Sequence, residues 1–378
     1  MTKPILPGAT IGVLGGGQLG RMIALAARRM GYRICVLDRD ARGPTGQIAD
    51  EVVVGSLDDL EAIRRVAERS AVVTLDTEHV DAALLEQIAG MVPVRPGPSV
   101  LATIQDRAVQ KRFLDRIDLP QARWAEVGSP AELAAAVATI GTPSILKARR
   151  AGYDGKGQAR LEPDADPAAG WRRIGDVPAT LEELVPFARE ISVVLARAVD
   201  GDVKIYPVAE NVHRRHVLHT TRAPAPMPAD QRHTAEGIAR TIAVELEHVG
   251  VMAVELFELP DGSLLVNEIA PRTHNSGHYT YGACATSQFE QHVRAVCGLA
   301  LGAPDLLSGA VMLNLIGDLW SQRQPPWQHV LARPDARLHL YGKDRPEPGR
   351  KMGHVLILDD DTDRGLASAD ALLALLSE

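Results

Sequence analysis

Residues 254–278 read VELFELPDGSLLVNEIAPRTHNSGH, and this stretch predicts the feature around which the chain folds. Two apolar runs, Val251 to Phe257 and Ser263 to Ile269, lie on either side of Pro260-Asp261-Gly262. Alternating apolar residues around such a turn sequence are typical of two antiparallel strands. The stretch therefore predicts a β-hairpin.

Each predicted strand carries one carboxylate in apolar surroundings, Glu255 on the first and Glu268 on the second. Two buried like charges cost free energy unless they are protonated, paired or bound to a cation. Hard oxygen ligands of this kind, with Asn267 alongside, suit Mg²⁺ that bridges nucleotide phosphates. We therefore predict a metal site, while two solvent-facing glutamates on a half-exposed hairpin remain the alternative.

The second predicted strand leads directly into a loop rich in hydrogen-bond donors and cations. This loop is poor in helix formers and contains Arg272, His274, Asn275, Ser276 and His278. Donors and cations held together in a loop can bind an oxyanion. We expect such a site beside the metal.

The 378-residue chain has the composition of a globular protein, with 46% hydrophobic and 24% charged residues. Its length suggests two or three domains packed together. No apolar run approaches the roughly 18 residues needed to span a bilayer, and the first residues lack the apolar core of a signal peptide. Three cysteines without metal-ligand spacing fit a reducing compartment, and the net charge of −7 argues against nucleic acid as the main partner. We therefore expect a cytoplasmic protein that binds neither membranes nor nucleic acid.

A glycine-rich turn follows the first predicted strand, with Gly15, Gly17 and Gly20 at G-x-G-x-x-G spacing. The second strand ends at Asp38, near the position of a ribose-binding acid, so an NAD site is one interpretation. The same glycines permit a tight turn and a helix amino end that faces any anion or polar ligand. The glycine spacing alone leaves both interpretations open.

Two acidic residues, Asp76 and Glu78, come directly after a later strand of this first region. Open α/β sheets bind ligands at the carboxyl ends of their strands, so both acids are candidates for substrate binding. Capping of a helix amino end is the alternative. Residues 92–98, VPVRPGP, are stiff and extended and mark the first predicted domain boundary.

Two lysines and a glycine-rich segment indicate a phosphate site in the next region. Lys111 lies on a helix predicted over residues 99–117, and Lys147 ends a predicted strand. Residues 152–157 then read GYDGKG, a segment whose backbone N–H groups can reach phosphate oxygens as a mobile lid. The chain has no G-x-x-x-x-G-K-[ST] motif, so it is not a P-loop NTPase.

A basic cluster lies near the end of the chain, where Lys343, Arg350 and Lys351 fall in neighbouring predicted loops with glycines. Phosphate or carboxylate is the natural ligand of such a cluster. A solvated basic turn is the alternative.

Several of these motifs together resemble one family. The strings GGGQLGRM, GYDGKGQ, NEIAPRTHNSGH and PGRKMGH are similar to those of the N5-carboxyaminoimidazole ribonucleotide synthetases, which belong to the ATP-grasp superfamily. The resemblance implies an α/β and α+β multidomain fold. It implies a Rossmann-like domain over residues 1–98, an ATP-grasp domain over residues 99–298 with a lid subdomain at about 120–187, and a small β-rich C-terminal domain over residues 299–378.

The resemblance also implies a reaction in purine biosynthesis. ATP phosphorylates bicarbonate to carboxyphosphate, and the amine of 5-aminoimidazole ribonucleotide then takes the carboxyl group. The implied cofactors are ATP and Mg²⁺, for which Mn²⁺ can substitute, and the implied assembly is a homodimer whose product passes to a separate mutase. A related ATP-grasp enzyme acting on formate or another carboxylate with a different ribotide is one alternative, and an NAD-binding module is another.

Site roles follow from the resemblance residue by residue, and metal binding falls to Glu255 and Glu268. The nucleotide-binding residues are Lys111, Lys147, Gly152, Asp154, Gly155, Gly157, Glu182, Glu183, Val185, Glu190 and Asn267. The catalytic residues are Tyr153, Lys156, Arg272, His274, Asn275 and Lys351. The substrate-binding residues are Gln18, Asp76, Glu78, Ser276, Lys343, Arg350 and Lys351.

The chain departs from the family pattern at a few positions. Arg107 replaces a lysine, Ala151 stands where many relatives have glycine, and Asp76 is one methylene shorter than the usual glutamate. The segment after His213 lacks the usual Gly-Ile-Leu, which leaves the function of His216 open.

Overall fold

The first region is a four-stranded parallel sheet with the order β3-β2-β1-β4. The structure is a computed structural model, and it describes residues 3–150, 157–321 and 323–377. The strands are almost wholly apolar because helices cover the sheet. The predicted Rossmann-like arrangement is confirmed. Its elements are β1 (Thr10–Leu14), α1 (Gln18–Arg29), β2 (Arg33–Asp38), β3 (Glu51–Val54), α2 (Leu60–Glu68), β4 (Val72–Leu75) and α3 (Ala82–Ile88).

The prediction of a single helix over residues 99–117 is wrong. The structure has two helices there, α4 (Pro98–Ile104) and α5 (Arg107–Arg116). Asp106 has an extended backbone and breaks the helix, and its carboxylate accepts hydrogen bonds from the N–H groups of Ala108 and Val109 at 3.0 and 3.3 Å. This is an N-cap, which satisfies the free N–H groups of the first turn of α5.

A separate antiparallel sheet with the order β5-β8-β6-β7 forms the region predicted as the lid subdomain. Two helices pack on it, and the core between them includes Leu133, Trp171 and Leu181. Its elements are β5 (Trp124–Val127), α6 (Pro130–Ile140), β6 (Ser144–Ala148), β7 (Gln158–Leu161), α7 (Pro167–Arg173) and β8 (Ala179–Glu183).

The largest sheet is nine-stranded and runs through the rest of the chain in the order β14-β13-β9-β11-β12-β15-β17-β16, with β10 paired to β9. Its first part comprises β9 (Arg189–Arg197), β10 (Val203–Ile205), β11 (Ala209–Arg214), β12 (Val217–Ala223), α8 (Ala229–Glu245), β13 (Gly250–Glu258) and β14 (Leu264–Ala270). The second part comprises α9 (Thr280–Ala283), α10 (Gln288–Val296), β15 (Ala310–Ile316), α11 (Gln328–Leu331), β16 (Ala336–Leu340), β17 (Lys351–Leu358) and α12 (Thr362–Ser377).

The β-rich C-terminal region shares this sheet with the central region. Strand β15 pairs antiparallel with β12, so that Thr220 lies opposite Leu313. The predicted boundaries after residues 98 and 298 stay predictions. The shared sheet means that the C-terminal strands are fixed relative to the hairpin β13–β14 through continuous backbone hydrogen bonds.

A buried histidine joins the first region to the large sheet. Nδ1 of His292 accepts a hydrogen bond from the Val251 N–H at 3.1 Å, so the ring proton lies on Nε2, 2.7 Å from the Thr74 hydroxyl oxygen. Thr74 belongs to β4, and His292 and Val251 belong to α10 and β13. Burial lowers the pKa of His292 to about 3 and that of nearby His248 to about 4.

These neutral, buried imidazoles predict a loss of stability in mild acid. In the unfolded chain a histidine takes a proton below its ordinary pKa of 6.5, but folded His292 does not. Stability is therefore complete above pH 6.5 and falls by about 1.4 kcal/mol per pH unit for each such group as the pH drops. In His292→Gln, the difference in the free energy of unfolding between pH 7 and 5.5 should shrink by about 1 kcal/mol.

Urea unfolding at the two pH values measures this difference. The control is His233→Gln, which replaces an exposed imidazole on α8 and should keep the wild-type pH dependence. An unchanged pH dependence in His292→Gln would contradict the assignment of His292 as a buried neutral group.

Candidate active site

One cavity of about 560 Å³ lies where the three regions meet. The N-terminal region supplies the loops after β1 and β4, the lid sheet supplies β6, and the large sheet supplies the hairpin β13–β14 and the start of β17. The predicted site residues that line it are Gln18, Asp76, Glu78, Lys147, Glu190, Glu255, Asn267, Glu268, Arg272, His274, Asn275 and Lys351. Residues far apart in sequence are thus brought to one place.

A β-bulge shapes the predicted metal site. Glu255 lies opposite Glu268, while the next residue, Leu256, lies opposite Val266, so Asn267 is an extra residue in β14. Adjacent residues on a regular strand point to opposite faces, but a bulge can turn both toward one side. Asn267 and Glu268 accordingly both line the cavity with Glu255.

The electrostatics of the hairpin fit a divalent cation. Burial and the facing Glu268 carboxylate raise the pKa of Glu255 to about 7, a sign that two like charges face each other. Glu268 is itself exposed in the cavity rather than buried, so a bound ion would be accessible to nucleotide phosphates. The described part of the chain contains no group of three or more histidine, cysteine or acidic residues placed to hold a metal. Glu255 and Glu268, with the Asn267 oxygen, are a hard donor set suited to Mg²⁺ that phosphate oxygens complete.

The predicted phosphate-binding lysines converge on a buried glutamate. Nζ of Lys147 and Nζ of Lys111 lie 3.0 and 3.2 Å from Oε2 of Glu182, and Arg107 lies 3.6 Å from its other oxygen. Burial acts to raise the pKa of Glu182, but Lys147, Arg107 and Lys111 hold it at about 2. Lys147 faces the cavity, whereas Lys111 is only 1% exposed and lies behind it.

Two other predicted nucleotide-binding residues lie away from the cavity wall. Glu183 points to the opposite side of β8 from Glu182 and pairs with Arg123 at 2.7 Å. Val185 is buried next to the strand end. The Glu183 N–H already donates to the Arg123 carbonyl at 3.0 Å, and the predicted contact of these residues with adenine stays a prediction.

The acidic residues after β4 have defined partners. Glu78 forms a bidentate ion pair with Arg272, with 2.8 Å between Nη2 and Oε1. Burial opposes ionisation of Glu78, but the guanidinium holds its pKa at about 2. The pair joins the N-terminal region to the loop after β14 and orients Arg272 at the cavity.

The amino end of α1 is filled by Asp76. Its carboxylate accepts hydrogen bonds from the N–H groups of Gly17 and Gly20 at 2.9 and 2.5 Å. A dinucleotide pyrophosphate would need the same N–H groups. The glycine fingerprint therefore serves a tight turn that presents Gln18 to the cavity, and the NAD interpretation loses its anion site.

The loop after β14 presents His274 and Asn275 but buries Ser276. Ser276 is 0% exposed and bonds to His274, so its side chain does not face the cavity as a substrate ligand would. Asn275 lines the cavity, and neither side-chain polar atom has a hydrogen-bond partner. A buried amide with free donors and acceptor is suited to a polar ligand.

The C-terminal cations are spread around one side of the cavity. Lys351 lines it, and its backbone carbonyl accepts a hydrogen bond from Nζ of Lys343 at 2.6 Å. Burial and the neighbouring Arg350 lower the pKa of Lys343 to about 8, partly offset by Asp76. Arg350 itself lies outside the cavity lining and donates to the Arg345 carbonyl.

Part of the predicted lid lies outside the described residues. This applies to Gly152, Tyr153, Asp154, Gly155 and Lys156, whose roles stay predictions. Gly157 is described, with φ +70°, and its carbonyl accepts a hydrogen bond from the Ala148 N–H at 2.8 Å.

The cavity also contains residues that sequence reasoning missed. Nδ1 of His213 lies 3.0 Å from Oε2 of Glu190, and Phe187 stacks on Phe257 with 4.6 Å between ring centroids. An exposed aromatic pair in a cavity is a natural surface for a nucleobase. Single histidines and phenylalanines are common in any chain, so only their positions in space identify them. Others lining the cavity are Thr77, His79, Arg107 and His216.

This combination defines a class of enzyme. A lysine from a small antiparallel sheet, with a second lysine from a helix behind it, lies in the same cavity as paired carboxylates on the hairpin of a larger sheet, which is the architecture of the ATP-grasp ligases. Family models agree, since the ATP-grasp domain matches residues 112–289 and the ribonucleotide synthetase preATP-grasp domain matches residues 8–105. The phosphoribosylaminoimidazole carboxylase C-terminal domain matches residues 310–368.

Known relatives narrow the class. The chain is 44% identical to the N5-carboxyaminoimidazole ribonucleotide synthase of Brucella melitensis, over 92% of this chain and 96% of the relative. An ADP complex of an N5-carboxyaminoimidazole ribonucleotide synthetase superposes with a TM-score of 0.93 at 43% identity, covering 99% of this chain and 98% of that one. The Aspergillus clavatus synthase in complex with ADP and 5-aminoimidazole ribonucleotide gives a TM-score of 0.90 at 34% identity, covering 97% and 98%. The chain belongs to the N5-carboxyaminoimidazole ribonucleotide synthase family, and it is an ATP-dependent ligase.

The buried charge cluster gives a prediction about Glu182. Glu182→Gln leaves Lys111, Lys147 and Arg107 close together without their common counter-charge. Removing one partner of a buried ion pair costs about 3–5 kcal/mol, and we expect a loss of this order in the free energy of unfolding without nucleotide.

Urea unfolding of the nucleotide-free protein measures the loss, with Glu183→Gln as the matched control on the same strand. Glu183 pairs with Arg123, whose side chain is 66% exposed, so that substitution should cost about 1 kcal/mol or less. Equal losses in the two variants would show that Glu182 does not balance the three cations.

Proposed function

We propose that the chain carboxylates 5-aminoimidazole ribonucleotide with ATP and bicarbonate, forming N5-carboxyaminoimidazole ribonucleotide through carboxyphosphate in purine biosynthesis. This proposal rests on one observation. Five side chains line a single cavity, namely those of Glu255, Glu268, Arg272, His274 and Lys351. A phosphoryl-transfer site, an oxyanion site and a cation from the C-terminal region are thereby adjacent. The substrates named for the Aspergillus clavatus relative support the same assignment.

The first step is phosphoryl transfer from ATP to bicarbonate. A bicarbonate oxygen forms a bond to the γ-phosphorus, the bond to the β–γ bridging oxygen breaks, and the bicarbonate proton is released. Positioning and charge compensation are the main contributions of a protein to such a reaction. Lys147, which lines the cavity, and Lys111 behind it supply positive charge from one side. Mg²⁺, held by Glu255, Glu268 and Asn267, would offset phosphate charge when it is bound with ATP.

The loop after β14 binds the oxyanion. Arg272 is fixed by Glu78, and the unpartnered Asn275 amide and the His274 imidazole face the same cavity. A planar anion such as bicarbonate matches a guanidinium with two further polar groups.

The second step joins the ribotide to the carboxyl group. The amine nitrogen bonds to the carboxyl carbon, directly or after release of CO₂, the bond to the phosphate oxygen breaks, and the departing phosphate gains the amine proton. Lys351 and Lys343 hold the ribotide phosphate or the carboxyl intermediate, with Arg350 behind them, and Gln18 contacts the nucleotide portion. Tyr153 and Lys156 close the lid over labile carboxyphosphate, which excludes water.

The same proposal covers the location, the assembly and the fate of the product. We propose a cytoplasmic homodimer that passes its product to a separate mutase. In the described part of the chain, no helix is both long and apolar enough to cross a membrane.

Ribotide-dependent ADP release tests the activity. With Mg²⁺-ATP and bicarbonate, ADP release should depend strongly on 5-aminoimidazole ribonucleotide and yield an acid-labile carboxylated product. Glu268→Gln removes a negative charge from the metal site and should lower the rate by a factor on the order of 10² or more while the thermal unfolding midpoint changes little.

The control is Glu245→Gln, which removes a carboxylate 44% exposed on α8, outside the cavity lining, and should retain the wild-type rate. ADP release that requires formate instead of bicarbonate, or another ribotide, would overturn the substrate assignment. Wild-type turnover in Glu268→Gln would overturn the metal-site assignment alone.

Lys351→Ala tests the ribotide site. Loss of one cation that binds a phosphate or carboxylate should raise the KM for ribotide by about tenfold or more and leave the KM for ATP within about twofold. Steady-state ADP release at varied ribotide and varied ATP separates the two constants. Lys204→Ala, which removes a lysine 41% exposed on β10, is the control. An unchanged KM for ribotide would place Lys351 outside the binding site.

A further inference from the structure

A line of hydrogen bonds runs behind His274, away from the cavity. The Ser192 hydroxyl on β9 donates to the Ser276 hydroxyl at 2.9 Å, and Ser276 Oγ lies 2.9 Å from Nδ1 of His274. Both serines are 0% exposed. The line connects the middle of the large sheet to the loop that presents the predicted oxyanion ligands.

The backbone determines where the imidazole proton lies. The Ser276 N–H donates to Nδ1 of His274 at 3.3 Å, in the N-cap of the short 3₁₀ turn Asn275–Gly277. An N–H donor needs a lone pair on its acceptor, so Nδ1 carries no proton. The Ser276 hydroxyl then also donates to Nδ1, and Ser192 donates to Ser276. Each donor in this line therefore points toward Nδ1 of His274, and the single proton of the neutral imidazole lies on Nε2.

The other ring nitrogen faces the reaction site. Nε2 of His274 lies 3.7 Å from Oε1 of Glu255, and the ring lines the cavity beside Arg272 and Lys351. A neutral imidazole in this arrangement donates through Nε2–H and has no free lone pair in the plane of the ring at that atom.

We propose that Ser276 and Ser192 are positioning residues that lock His274 in its Nε2–H form, making it a fixed hydrogen-bond donor to the bicarbonate-derived oxyanion. This inference rests on the proposed function, and it deepens the role of the oxyanion loop. His274 stabilises negative charge on the carboxyl oxygens as carboxyphosphate forms and breaks down. It does not accept the amine proton in the second step, which passes to the departing phosphate.

Paired substitutions of His274 separate a donor from a base. Glutamine places an N–H donor near the position of Nε2, whereas asparagine places one near Nδ1. His274→Gln should keep activity within about tenfold of wild type, while His274→Asn should lose about 10²-fold or more. A His274→Gln variant as inactive as His274→Asn would overturn the donor role, since a glutamine amide cannot act as a base.

Ser276→Ala tests the positioning role through KM and coupling. It should raise the KM for bicarbonate by about fivefold or more, with the KM for ATP within about twofold, and Ser192→Ala should have a smaller effect in the same direction. In the double variant Ser276→Ala/His274→Gln, the serine substitution should add less than about twofold, because its effect passes through the imidazole. Full additivity would show that Ser276 acts only on the fold.

The matched control is Ser70→Ala, which removes a partly buried hydroxyl that donates to the Val66 carbonyl at 2.7 Å in the N-terminal region. It should leave both KM values unchanged. A similar rise in the KM for bicarbonate in this variant would show that loss of a serine hydroxyl acts through general destabilisation.

A measurement without turnover tests the tautomer directly. In protein labelled with ¹⁵N-histidine, the His274 resonances, assigned by their loss in His274→Gln, should show a protonated Nε2 and an unprotonated Nδ1. The opposite pattern would overturn the inference even if the carboxylation activity is present. Absence of ribotide-dependent ADP release with the expected tautomer would instead overturn the proposed function and leave the tautomer assignment standing.

Discussion

The structure depends on the register between two strands, which holds the Glu255 and Glu268 carboxylates opposite each other. Like charges in this arrangement repel, and burial together with that repulsion raises the pKa of Glu255. A bound cation would remove the repulsion, which supports the proposal that the hairpin holds a metal together with phosphate oxygens. The bulge at Asn267 is part of the same constraint, because without it Glu268 and Asn267 would point to opposite faces.

Two other buried carboxylates at the site already have cationic partners. Glu182 has Lys147 and Lys111 within 3.2 Å, and Glu78 has the Arg272 guanidinium. Glu255 instead faces another carboxylate and a neutral imidazole. The two halves of the site therefore differ in what binding must do. The lysines already have a carboxylate partner in Glu182, whereas the facing carboxylates of the hairpin lack a counter-charge that a bound cation would supply.

Local patterns in the sequence predicted local structure well. Apolar alternation and the Pro260-Asp261-Gly262 turn gave the hairpin, and Gly262 has the positive φ that such a turn requires. The break between α4 and α5 was missed because Asp106 can also occur within a helix, and its cap depends partly on Arg149, distant in sequence. The bulge at Asn267 was missed for a related reason, since β-register is fixed by the partner strand. His213 carried no distinctive pattern, and the burial of Ser276 depends on contacts with Ser192 that span 84 positions.

The division of the site between two sheets has a mechanistic consequence. Glu255, Glu268 and Lys351 belong to the large sheet, which continues from β13 through β12 and β15 to β17. Their separations are therefore set by backbone hydrogen bonds within a single layer. Lys147 belongs to the separate four-stranded sheet. Among the described residues its strands do not pair with those of the large sheet, although one isolated bridge joins Gln121, just before β5, to Val266 of β14. A displacement between the sheets would change the distance from Lys147 to the metal ligands but not the distance from the metal ligands to Lys351. In the proposed reaction, carboxyphosphate forms at residues of the large sheet and Lys351 of that sheet binds the ribotide, so these two sites would keep their relative geometry if the sheets were displaced.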